Sequence, residues 1–176
     1  MGAQYNVGAM HEPGEGVRQD FGQARDWYAL AAEAGDVDAQ TALGRLYEEG
    51  PMGRRDYQLA RAWYQRAADQ GGVEAMVRLA RLLRTGRAGV RNRAGALTLM
   101  RQAAAAGDVG AQYAVGEMIE NGEGTAPDLA EAADWYRVAA EAGMAEAQFR
   151  LGHLYETGSG VAADQATAAD WYRAAA

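Results

Sequence analysis

The sequence predicts an all-α fold: an array of five 36-residue helix pairs. Three observations predict it. Tryptophan stands at Trp27, Trp63, Trp135 and Trp171, each followed by tyrosine, and the one skipped position of this 36-residue period holds Leu99-Met100. Glycine recurs at the same period, at Gly14, Gly50, Gly86, Gly122 and Gly158, and again at Gly35, Gly71, Gly107 and Gly143. Alanine pairs follow the same spacing, at 31/32, 67/68, 103/104, 139/140 and 175/176. A fixed period along a whole chain marks a repeat architecture, in which each unit buries its apolar face only against its neighbours. The repeats are read as 3–38, 39–74, 75–110, 111–146 and 147–176, a single domain over 1–176 whose fifth unit is short at its end.

The first repeat carries His11 where later repeats carry tyrosine, and His11 is read as structural. The second repeat shows the pattern most fully. Ala39, Leu43, Leu46 and Tyr47 share one helical face. Gly50 ends that helix, because glycine takes the left-handed C′ conformation without a Cβ clash. After a short loop Asp56 is the expected N-cap of the second helix, and Asp20, Asp128 and Asp164 hold the same position. Ala60, Trp63, Tyr64, Ala67 and Ala68 then form a second apolar stripe, closed by Gly71. Gly44 and Ala60 allow close helix approach, and the aromatic pair fills the space beside them as core. The third repeat departs from this pattern. It has Ala80 for glycine, Leu83 for tyrosine, Asn92 for aspartate and Leu99-Met100 for Trp-Tyr, with Gly95 inside its second helix at a cost of about 1 kcal/mol. It is expected to be the least stable internal unit, through drift or through adaptation for binding. In the fourth repeat Asp128 and Glu131 have capping-box spacing.

The fifth repeat reads Leu151-Gly152-x-x-Tyr155, then Gly158-x-Gly160-Val161-x-x-Asp164, then Ala168-x-x-Trp171-Tyr172-x-x-Ala175-Ala176. With repeats two and four, it resembles the Sel1-like repeat (SLR) family, a relative of tetratricopeptide repeats. The resemblance covers essentially the whole chain. It implies an α/α solenoid coiled as a right-handed superhelix with a concave face, and a role as an adaptor that assembles complexes. A cysteine-rich bacterial branch of the family uses a disulfide in each repeat. The chain has no cysteine and matches that branch poorly.

Composition narrows the chemistry. All 17 basic residues are arginine, Ser159 is the only serine, and the histidines are His11 and His153 alone. Phosphate-loop and Schiff-base lysines, thiolate catalysis and cysteine zinc sites are therefore excluded, and a histidine metal cluster is disfavoured. No cofactor is expected. Gly122-Glu123-Gly124 and Gly158-Ser159-Gly160 look like phosphate-loop fragments but join helix to helix, so they read as turns. No carboxylate pair is singled out by its spacing, and the chain reads as a non-enzyme. Its N-terminus shows no signal-peptide pattern, which leaves cytoplasm and periplasm both open, and both ends read as cut from something longer. Arginine and alanine enrichment without lysine suggests a bacterial, GC-rich source.

Charge is uneven. Residues 54–101 hold eleven arginines, Arg54 among them, and three acids, a net +8, while the remainder carries −15. Such a bipolar array suits an acidic partner surface; the alternative is a solvated face paired within the array. By the tetratricopeptide-like register that the resemblance implies, first-helix positions face the concave side. They place Arg45, Arg81, Arg84 and Thr85 at a basic centre, with Glu117, His153 and the aromatics Tyr113 and Phe149 beyond it. Arginine and aromatics are the residue types enriched at binding hot spots. The expected function is a non-catalytic scaffold that takes a protein or peptide with acidic residues. Other readings are a binder of a small anionic molecule, a spacer within a larger protein, and a nucleic-acid binder, which the acidic flanks disfavour. No membrane insertion is expected, and uncovered ends favour end-to-end self-association.

Overall fold

The computed structural model describes residues 2–50 and 55–176. Arg54 lies outside them. Ten helices are described: α1 (Gly2–His11), α2 (Phe21–Glu33), α3 (Val37–Glu49), α4 (Tyr57–Ala68), α5 (Val73–Thr85), α6 (Arg93–Ala105), α7 (Val109–Glu120), α8 (Leu129–Glu141), α9 (Ala145–Thr157) and α10 (Gln165–Ala174). The fold is all-α, a run of helix pairs. The chain forms two compact units, Met1–Arg91 and Asn92–Ala176, so the division falls between the two helices of the third repeat. Within each unit every helix packs on its neighbours in sequence.

The expected caps form. Asp20, Asp56, Asp128 and Asp164 each accept two backbone N–H bonds at the start of the second helix of their repeats, whereas Asn92 accepts one, from Gly95. Two further caps begin first helices: Asp36 accepts from the Ala39 N–H at 2.9 Å and Asp108 from the Ala111 N–H at 2.6 Å. First helices of repeats two to five therefore start about two residues before their alanines. The capping box is only half made. Asp128 takes the Glu131 N–H, but the Glu131 carboxylate turns to Arg101 at 2.6 Å, and the Asp128 N–H goes to the Ile119 carbonyl.

Small residues set the helix spacing. A Cβ on Gly44 would stand 2.6 Å from the Tyr64 ring, and one on Gly116 2.7 Å from the Tyr136 ring. The tyrosines are the core: Tyr28, Tyr64 and Tyr136 are fully buried. The tryptophans are only half-buried, and Trp63 carries the Arg66 guanidinium 4.5 Å above its ring. Alanine pairs line the junctions between repeats, where buried Gln40 donates to the Ala32 carbonyl and Gln148 to the Ala140 carbonyl. Loops are held by close backbone approach. A Cβ on Gly160 would lie 2.2 Å from the Leu129 carbonyl oxygen, so only glycine fits there.

Candidate functional site

The first helix of each repeat ends in a position held by Glu12, Glu48, Arg84, Glu120 and Glu156. On register this position should face a partner. In four repeats it turns to a tyrosine hydroxyl instead, although Glu156 itself stays exposed. Tyr28 donates to Glu12 at 2.9 Å, Tyr64 to Glu48 at 2.8 Å, Tyr136 to Glu120 at 2.5 Å and Tyr172 to Glu156 at 2.6 Å. Each bond joins the two helices of one repeat. Burial, and then the carboxylate that accepts its proton, pushes each of the Tyr28, Tyr64 and Tyr136 phenols far above the usual tyrosine range.

The same carboxylates reach forward. Arg45 closes on Glu12 at 2.6 Å, Arg78 and Arg81 on Glu48 at 3.3 and 3.2 Å, and Arg150 on Glu120 at 3.7 Å. Each of these arginines belongs to the next repeat. Glu48 is 9% exposed, so its charge needs these partners; a buried charge stripped of its partner costs about 3–5 kcal/mol. Arg78 and Arg150 share a register and were missed by the partner-facing positions; their 72-residue spacing was the signal.

The expected partner-binding residues divide between the units. In the first, Arg45 is largely committed: its bond to Glu12 is the main reason its pKa rises above the ordinary arginine value. Arg81 keeps 57% of its side chain exposed despite its bond to Glu48. Arg84 is half-buried, and Thr85 donates its hydroxyl back to the Arg81 carbonyl. Intramolecular pairing thus accounts for part of the basic stretch. In the second unit Tyr113 stacks on Tyr136 and Phe149 on Tyr172, both with ring centroids 5.4 Å apart. Phe149 is nonetheless 57% exposed. With Tyr113, Glu146, Arg150 and Ala175 it lines an open groove of about 460 Å³. At the same register of the first unit, Glu74 of the following repeat helps narrow the space beside Tyr5 and Arg45 to about 80 Å³. Glu117 is half-buried and His153 exposed.

The first unit holds a second hollow, of about 200 Å³, walled by Glu48, Glu49 and Arg78 and rimmed by Arg55, Arg81 and Arg87, with Tyr57 at its edge. Sequence reasoning counted Arg55 and Arg87 in the basic stretch without bringing them together. No group of three or more potential metal ligands occurs among the described residues. No helix there is long and apolar enough to cross a membrane.

Comparison with known proteins agrees with this fold. No curated protein sequence matches the chain. A Sel1 repeat protein from Oxalobacter formigenes is 33% identical and superposes with a TM-score of 0.94, over 99% of this chain and 72% of that one. A protective antigen present in uropathogenic Escherichia coli strains, which displays an SLR fold, is 36% identical with a TM-score of 0.95, over 99% of this chain. This chain spans only 37% of that antigen's length. The immunity protein Pa5087 from Pseudomonas aeruginosa, at 22% identity and a TM-score of 0.58, shares the fold alone. The model of the Sel1 repeat matches residues 2–36, 37–72, 73–108, 109–144 and 145–176, the same five units with boundaries one or two residues earlier, and the chain therefore belongs to the Sel1 repeat family.

Proposed function

We propose that this chain is a non-catalytic scaffold that holds a protein or peptide partner on the first-helix faces of its repeats. Sel1 repeat proteins generally act as protein-interaction scaffolds and are typically non-catalytic. One observation supports a role for these faces in this chain. Arg81 and Phe149, an arginine and an aromatic at equivalent faces of two repeats, each stay 57% exposed although neighbouring contacts fix their position. Such side chains bind at low entropic cost because they are already ordered. Arg81 and Arg84 supply positive charge for an acidic partner, Tyr113 and Phe149 supply apolar anchors, and Glu117 and His153 are polar contacts beside them. We propose further that residues 1–176 act as one domain.

Affinity capture from extract of the source organism tests this reading, with wild type compared with Arg81→Glu/Arg84→Glu and with Phe149→Ala. A partner held by the wild type and lost by both variants, with helicity intact by circular dichroism, is the expected result. Equal retention by wild type and both variants would place binding elsewhere.

A further inference from the structure

We propose that the hollow rimmed by Arg55, Arg81 and Arg87 is a binding site for a phosphoryl group. The argument begins with charge. Its wall carboxylates are already answered. Glu48 takes Arg78, Arg81 and the Tyr64 hydroxyl, and Glu49 has Arg45 and Arg78 each at 3.8 Å. Two rim guanidiniums are not answered. Among the described residues Arg55 bonds only the Glu49 carbonyl, at 3.3 Å, and Arg87 sits 5.8 Å from the Tyr57 ring centroid. Neither has a carboxylate partner among the described residues. With four arginines against two glutamates, the hollow carries a net +2 in a chain whose net charge is −7.

Like charges gathered on one rim repel each other, and among the described residues no carboxylate pairs with Arg55 or Arg87 to relieve them. An incoming anion does. A phosphoryl group carries about −1.5 to −2 at neutral pH and so neutralises both unpaired charges, whereas a carboxylate neutralises one. Guanidinium forks match phosphate oxygens bidentately, which a lysine ammonium cannot do. The register shows how the site arose. Arg87 stands where other repeats have Glu15, Glu123 and Ser159, and Arg55 shares its register with Arg91 but with Gln19, Pro127 and Ala163 elsewhere. Only here do both loop positions face one hollow as arginine. About 200 Å³ holds a phosphoryl group while its bearer stays outside. The bearer is either a phosphorylated side chain of a partner or a free phosphorylated small molecule.

Isothermal titration calorimetry of the intact chain at low ionic strength tests this, with inorganic phosphate and with a phosphoserine heptapeptide beside its unphosphorylated twin. Arg55→Gln and Arg87→Gln are suitable variants, because both side chains are exposed loop residues whose only contacts with helices among the described residues are at the helix ends, at Glu49 and Tyr57. Arg25→Gln, which removes a guanidinium paired with Asp26, is the control. The expected result is binding of a phosphate probe that weakens about tenfold or more in each rim variant and is unchanged in the control. Tighter binding of the phosphopeptide identifies a phosphorylated side chain as the ligand; tighter binding of inorganic phosphate identifies a free molecule. No binding of either probe, equal binding by the rim variants, or equal binding of the unphosphorylated peptide would overturn the site. Because no partner protein is present, a negative result leaves the scaffold reading standing, and loss of the scaffold reading leaves this one standing.

Discussion

In the second repeat Gly44 lies under the ring of Tyr64, and Glu48 holds the hydroxyl of that ring. At the same three positions the third repeat has Ala80, Met100 and Arg84. The changes belong together. Without a ring there is no demand for glycine, and without a hydroxyl there is no donor for a carboxylate. The comparison teaches that Gly, Tyr and Glu act as one unit, a lock between the two helices of a repeat. The chain divides into its two compact units within the repeat that lacks this lock.

Five measurements test the comparison, beginning with the largest effect. Tyr64→Ala removes the buried ring and leaves Glu48 without its hydroxyl donor, and should cost about 3–5 kcal/mol in urea unfolding; Met100→Ala, without a linked carboxylate, should cost less. Gly44→Ala should destabilise by about 1–3 kcal/mol by driving a methyl into the Tyr64 ring. The reverse change in the third repeat, Ala80→Gly, should cost the helix-propensity difference of about 1 kcal/mol together with the burial of one methyl group, with no ring clash to relieve.

Alkaline pH should weaken the locked repeats alone. Tyr28, Tyr64 and Tyr136 titrate well above the ordinary tyrosine value when folded and near 10 when unfolded, so their contribution is complete below pH 10. Above it the unfolded chain releases protons that the folded chain keeps. Stability should then fall by up to about 1.4 kcal/mol per pH unit for each tyrosine. Tyr64→Phe should flatten the slope by one such share, and an unchanged slope would refute the linkage. The smallest difference lies in the caps. Asp56→Ala should cost about 1 kcal/mol and Asn92→Ala less, since Asn92 makes one capping bond where Asp56 makes two. Hydrogen exchange should also report weaker protection in α5 and α6 than in α3 and α4.

Much of this was legible in the sequence. The period set the number of helices, and Asp56, Gly50 and the alanine pairs marked their ends. The buried tyrosines followed from their place on an apolar stripe. The tryptophans beside them did not, because an apolar stripe is wider than the buried contact and its edge stays wet. The role of the glutamate position was hidden for a related reason. A carboxylate at a helix edge can turn to water or to a buried hydroxyl, and helical periodicity does not say which. The clue was pairwise: a tyrosine follows sixteen residues after Glu12, Glu48, Glu120 and Glu156, and both partners change together at Arg84 and Met100. The phosphoryl-site arginines were visible only as charge, because their meeting depends on two loops from successive repeats.

The lock has a consequence for how such a chain can change over time. Passing from Gly-Tyr-Glu to Ala-Met-Arg one residue at a time meets a methyl driven into a ring or a carboxylate stranded without its hydroxyl. Duplication of whole 36-residue units avoids the problem altogether, because it copies all three positions at once. Lineages of this chain should therefore lengthen by intact units and diversify in their loops, where Arg87 in the place of Glu15 and Glu123 shows that a reversed charge meets no such barrier.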